Sequence, residues 1–217
     1  MEDLPGQDKI IMRIDGLFPI PIGITNINRK FTDDEINFCK EKFNDVKSNA
    51  GNVYTQDTFV LDDERLFDIK KYIEDQLNVF LNNVYCPSYK MSLYVTQSWI
   101  NYTKQDGFHH KHSHPNSFVS GVFYINTTDH VDNITFFSPS DNKSSFCIEG
   151  SALNVFNNNA KTIRIAKGDL ILFPSTLQHT VYPIVEKEIR VSIAFNTFFE
   201  GSVGSKDRLT YLNLSRN

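Results

Sequence analysis

The stretch Phe108-His109-His110-Lys111-His112-Ser113-His114-Pro115 holds four of the chain's six histidines. Neutral imidazole is the commonest side-chain metal ligand. His112 and His114 are two residues apart, so on a strand both point to one face and can grip a single ion. His110 shares that parity, so a pair shifted by two residues is an alternative. A polar, partly exposed loop is the plain reading of the same cluster. A fifth histidine, His179, lies far downstream, just past Gly168-Asp169-Leu170-Ile171-Leu172-Phe173-Pro174, a turn feeding an apolar strand that stops at a proline. A histidine leading into the next strand, Thr180-Val181-Tyr182, is held stiffly, as a ligand must be. His112, His114 and His179 therefore form the candidate metal set.

Eleven residues beyond His179 comes Arg190, in Ile189-Arg190-Val191-Ser192-Ile193-Ala194-Phe195-Asn196. Strand alternation puts Val191, Ile193 and Phe195 on one face and Arg190, Ser192, Ala194 and Asn196 on the other. The apolar face is expected to pack on helices and the second to line the inside of a sandwich. An inward arginine is costly unless an anion meets it, and its planar fork matches a carboxylate in a two-bond geometry. An internal ion pair with Asp or Glu is the alternative.

The 217 residues suit a single domain, which divides into N-terminal strands and supporting helices (1–88), a β core (89–200) and a C-terminal arm (201–217). The net charge of −4 argues against a broad phosphate-binding surface, so no nucleic-acid partner is expected. Cys39, Cys86 and Cys147 are scattered and odd in number, which reads as reduced thiols in a cytoplasmic protein. The first residues show no basic region followed by an apolar run. No apolar stretch approaches the roughly 20 residues of a membrane span.

Ile10–Met12 and Phe18–Ile22 read as short extended pieces, the second confined by its prolines to an edge or an irregular strand. Thr32 followed by Glu35 is a capping-box pattern, and Ile36, Cys39, Phe43 and Val46 form one helical stripe. A second helix, capped by Asp62 or Asp63 and closed by Pro87, carries Leu66, Ile69, Ile73, Leu77, Phe80 and Leu81 on one face. From residue 89 the period becomes two. Strands are expected at Tyr89–Thr103, His109–His114, Phe118–Asn126, Ile134–Phe137, Phe146–Ile148, Lys161–Ile165, Asp169–Phe173, Val181–Ile184 and Glu188–Phe198. Helices first and many short strands after predict a mainly β jelly roll with the N-terminal helices packed on one sheet.

Taken in order, Ser98-Trp99-Ile100-Asn101, His112-Ser113-His114-Pro115-Asn116-Ser117, Ser120-Gly121-Val122-Phe123-Tyr124-Ile125, Gly168 to Ser175, His179 and Arg190 to Asn196 resemble the double-stranded β-helix core of the iron(II)/2-oxoglutarate-dependent oxygenases. The segment Trp99–Asn196 is most similar to the prolyl-hydroxylase-like branch, and within it to a family of oxygenases found in phages and bacteria. The resemblance implies an iron(II) cofactor, 2-oxoglutarate as cosubstrate, molecular oxygen, and hydroxylation of a primary substrate. It implies that His112 and His179 are the two histidine ligands and that His114 stands where a carboxylate is usual, with Asp106 a distant substitute. It assigns Arg190, with Ser192 beside it, to the far carboxylate of 2-oxoglutarate. It also places Tyr102 and Tyr124 against the cosubstrate, for which the alternative is core aromatics with satisfied hydroxyls. Two rival readings stand beside it: a three-histidine metal dioxygenase that does not use 2-oxoglutarate, and a non-catalytic β-sandwich acting as a binding or virion-associated module.

Overall fold

The computed structural model describes residues 12–139 and 150–214. The expected strand Phe146–Ile148 and the piece Ile10–Ile11 lie outside them. Residues Phe18–Ile22 form no strand. The first strand, β1 (Gly23–Asn26), begins only after Pro19 and Pro21, because proline offers no N–H to a ladder.

Helix α1 (Asp33–Lys42) starts where the sequence predicts. The Thr32 side chain accepts from the Glu35 backbone N–H, and the Glu35 carboxylate accepts from the Thr32 N–H. Glu35 is buried and paired with Arg29 at 2.5 Å. The predicted stripe runs too far, however. The helix ends at Lys42, and Val46 opens β2 (Val46–Ser48), which forms a hairpin with β3 (Val53–Thr55). Its side chain still joins the same core, so burial at helical spacing was inherited from a strand.

The second helix, α2, spans Phe67–Tyr85, and Ile69, Ile73, Leu77, Phe80 and Leu81 are buried along it. Neither expected aspartate caps it. Asp63 instead accepts from the Arg65 N–H at the head of a short 3-10 turn, Glu64–Leu66, that runs into the helix. The helix closes at Cys86 in the left-handed region, with Pro87 following.

The remaining strands are β4 (Met91–Thr103), β5 (His109–His112), β6 (Val119–Asn126), β7 (Asn133–Phe137), β8 (Ala160–Arg164), β9 (Asp169–Pro174), β10 (His179–Val181), β11 (Arg190–Val203) and β12 (Leu212–Leu214). They build two sheets. The major sheet has the order β1-β9-β6-β11-β4-β3-β2, with β12 on the far half of β11, and the minor sheet has the order β5-β10-β7-β8. Every named pairing is antiparallel. This is the jelly roll, and the C-terminal arm folds back on it as β12.

Alternation along the major-sheet strands separates two cores. Ile100, Phe123, Leu170, Leu172, Ile193 and Phe195 face outward and pack with Phe38, Ile69, Ile73 and Leu77 of the helices. Their strand neighbours Val122, Tyr124, Ile171 and Phe173 face inward and pack with Ile134 and Phe136 of the minor sheet. The helices thus brace one face and leave the other to line a pouch between the sheets. Among the described residues no helix is long and apolar enough to cross a membrane. Leu77, fully buried where α2 meets the sheet, tests this brace. Leu77→Ala should cost about 2–5 kcal/mol in equilibrium urea unfolding, and a loss well under 1 kcal/mol would show that the helix is not part of the core.

Candidate metal centre

His112 on β5 is the direct cross-strand partner of His179 on β10. His114 lies two residues past His112, beyond the end of β5, where its backbone N–H donates to the Ser175 carbonyl at 2.9 Å. One ring nitrogen from each of the three lies within 4.8 Å of the others. The rings are 4.3 to 5.2 Å apart, centroid to centroid.

Two of the imidazoles are held in one tautomer. His112 Nδ1 lies 2.8 Å from the His110 carbonyl, and His179 Nδ1 lies 3.1 Å from the Leu177 carbonyl. A carbonyl oxygen only accepts, so each Nδ1 carries the proton and each Nε2 keeps a free lone pair. Metal-binding histidines use this tether to fix ring orientation. The donor set and its tethers therefore fit a single metal ion.

The rings are also held neutral. Burial lowers His179 to about 3 and His114 to about 4 from the ordinary 6.5, with the neighbouring imidazoles adding to both, and burial lowers His112 as well. His179 is packed between Phe173 and Phe136, with centroids 4.7 and 5.8 Å away, which accounts for its desolvation.

Arg190 enters the same pouch from β11 and is 4% exposed. Its Nη1 donates to the Asn133 carbonyl at 3.0 Å, its Nη2 to the Tyr124 hydroxyl at 3.4 Å, and its guanidinium lies 5.1 Å from the Tyr124 ring centre. No carboxylate among the described residues pairs with it, so the expected alternative of an internal ion pair is not found there. Among the described residues the pouch wall contains Trp99, Asn101, Thr103, His109, Tyr124 and Ser192 beside the three histidines and Arg190, and no Asp or Glu.

The structure thus brings His112, His114, His179, Arg190, Ser192 and Tyr124 into one space and leaves Tyr102 out. Tyr102 pairs with Val191, whereas Asn101 pairs with Ser192 and Thr103 with Arg190. Cross-strand partners share a face, so Tyr102 points to the helices. Its hydroxyl donates to the Cys39 carbonyl, and it lines an apolar cavity of about 530 Å³ beside Ile36, Phe43 and Ile189. The expected contact of Tyr102 with the cosubstrate is corrected to a core aromatic with a satisfied hydroxyl. The inward residues of β4 are Trp99, Asn101 and Thr103. The parity of Ile100 and Tyr102 against them was the signal that could have found them.

His110 and Asp106 are not part of the three-histidine group. Both are exposed, and Asp106 sits in a turn with φ of 65°. A register shift between His179 and Val181 opposes His109 to Val181, although simple spacing from His112 would not, so His109 turns inward where parity would have sent His110. Its ring stacks on His112 at 4.4 Å.

Structures similar to this one share the fold at low identity. A Trichoplax adhaerens prolyl hydroxylase in complex with a hypoxia inducible factor peptide is 14% identical, with 82% of this chain and 83% of that chain covered and a TM-score of 0.55. HygX from Streptomyces hygroscopicus, solved with nickel and 2-oxoglutarate bound, is 12% identical over 82% of each chain, TM-score 0.55. A Pseudomonas putida prolyl-4-hydroxylase is 13% identical over 82% of this chain and 92% of that one, TM-score 0.52. No curated protein sequence matches the chain. These likenesses define the fold as a double-stranded β-helix. The family model described as "Putative 2OG-Fe(II) oxygenase" matches residues 97–196, which contain the whole histidine and arginine constellation. Over residues 97–196 the chain is thus similar to the 2OG-Fe(II) oxygenases.

The depressed imidazoles carry a pH signature. Unfolded histidine titrates near 6.5, well above His179 and His114 in the fold, so below that pH the unfolded chain binds more protons. The metal-free protein should be fully stable above about pH 6.5 and lose stability as pH falls through it toward about 4. Urea unfolding in the presence of a chelator should show a lower midpoint at about pH 5 than at about pH 7.5, and equal midpoints would contradict neutral burial of the cluster.

Proposed function

We propose that His112, His114 and His179 hold one ferrous ion, and that Arg190 with Ser192 holds the far carboxylate of 2-oxoglutarate in a hydroxylase. The observation that carries this is a buried guanidinium with no carboxylate partner among the described residues, set in the same pouch as three neutral imidazoles, two of them tethered. When bound together, iron, 2-oxoglutarate and oxygen supply an oxidant able to take hydrogen from a substrate carbon, with succinate and carbon dioxide as coproducts.

The chain's own part is positioning and charge. Arg190 is fixed in place by the Asn133 carbonyl and the Tyr124 ring and hydroxyl, so its remaining N–H groups are aimed before any ligand arrives. Tyr124, fully buried, backs the guanidinium. Ser192, two residues along the same face of β11, adds a hydroxyl. A third imidazole in place of a carboxylate leaves the dication's charge uncompensated, and with Arg190 it makes the pouch strongly attractive to a dianion. The aromatic rings of Phe136 and Phe173 keep water from His179.

Purified protein supplied anaerobically with iron(II) and 2-oxoglutarate should form succinate on exposure to oxygen. Consumption of oxygen without 2-oxoglutarate would favour the three-histidine dioxygenase instead. His112→Ala, His114→Ala and His179→Ala should each lose stoichiometric iron by metal analysis, and full occupancy in any of them would remove that residue from the ligand set. Arg190→Ala should weaken 2-oxoglutarate binding, measured calorimetrically on the nickel-loaded protein, by about 2–5 kcal/mol. An unchanged isotherm would refute the anchor.

A further inference from the structure

The β2–β3 hairpin lies outside the region matched by the family model, yet its turn contacts two residues of the pouch wall, His109 and Asn101. β3 extends the major sheet beside β4, with Val53 opposite Tyr102 and Tyr54 opposite Asn101. Val53 packs in the outer core, so Asn52 takes the opposite, inward parity. The turn is clamped to the segment that leads into β5. The Phe108 N–H donates to the Gly51 carbonyl at 2.9 Å. Gly51 has φ of +83°, and a Cβ there would meet the Phe108 ring at 2.5 Å, so no other residue fits without strain. From this clamp Asn49 Nδ2 reaches His109 Nε2 at 3.2 Å, and Asn52 Nδ2 donates to Asn101 Oδ1 at 3.2 Å.

Asn52 and Asn101 are 8% and 7% exposed. Asn52 Oδ1 is buried and has no hydrogen-bond partner. Asn101 Nδ2 makes no hydrogen bond among the described residues, and Asn101 stands in the pouch wall beside its cross-strand partner Ser192. A buried acceptor left unpaired is costly, and in a ligand site it is the mark of a contact the ligand completes. The two side chains, joined to each other, leave over one acceptor and one donor. Exchanging oxygen and nitrogen in both amides leaves the same inventory. The chemical complement of one acceptor beside one donor is another amide, which brings one N–H and one C=O.

We propose that the Asn52–Asn101 pair recognises an amide group of the primary substrate and so sets substrate class. This rests on the oxygenase reading for what happens to the substrate, but not for the binding itself. The hairpin turn is then the specificity element: His109 and Gly51 hold it in place, and Asn52 meets the ligand.

Trp99 is the chain's single tryptophan and lines the pouch, so its fluorescence reports occupancy without turnover. The probes are simple N-methylcarboxamides and the matching methyl esters, which contain no amide, titrated into nickel- and 2-oxoglutarate-loaded protein. Methylamides should bind saturably and about tenfold more tightly than the esters, the range of one or two hydrogen bonds. Asn52→Ala should abolish that preference while keeping nickel content and 2-oxoglutarate affinity. Asn52→Asp, which keeps the acceptor, should retain binding of the N–H probes and shows that the hairpin still folds. Equal binding of amides and esters, an unchanged preference in Asn52→Ala, or binding of neither probe would overturn the proposal. Failure of 2-oxoglutarate to bind the unmodified protein would instead strike the oxygenase reading, and the amide preference can be read in its absence.

Discussion

The centre depends on one antiparallel pair. β5 and β10 are in register at His112 and His179, and that alignment alone brings into contact two side chains that are 67 positions apart in sequence. Because side chains alternate with a period of two, slipping either strand by one residue would turn its imidazole out of the pouch. His114 follows from the same alignment, since it continues the inward parity of His112 and is tied by its backbone to Ser175, at the entry to β10. The β-bulge beyond His179 then turns His109 inward in the place that even alternation would give His110.

Against this minor-sheet wall the major sheet sets an opposite electrostatic character. Three imidazoles held neutral by burial face the Arg190 guanidinium, and no carboxylate among the described residues lines the space between them. A pouch built this way is unsatisfied by its own residues. Its free lone pairs suit a cation, and its fixed positive charge suits an anion that can reach both. The orphaned Asn52 oxygen, on the side chain bonded to the pouch-lining Asn101, adds a neutral polar demand. Burial costs of this kind persist in folds when a ligand offsets them.

Much of the architecture was legible along the chain because it rests on local periodicity. The alternation in β11 correctly divided Val191, Ile193 and Phe195 from Arg190, Ser192 and Ala194. The Thr32 and Glu35 capping pattern placed the start of α1. Errors arose where one period imitated another. Val46 continued a helical stripe although it belongs to a strand of the same core. The resemblance placed Tyr102 against the cosubstrate, while the parity of its own strand points it to the helices.

The amino-acid sequence by itself determined which residues could be donors, which strand faces are apolar, and that helices would cover one sheet, since each follows from residue chemistry and spacing of two or three to four. Only the tertiary structure decided which donors meet. The register of β5 on β10, the bulge that exchanges His109 for His110, the placing of Asn101 rather than Tyr102 beside Ser192, and the contact of the β2–β3 turn with the pouch wall are all contacts between distant segments. Their geometry is set by how strands align and twist against one another, and no property of either segment alone carries that information.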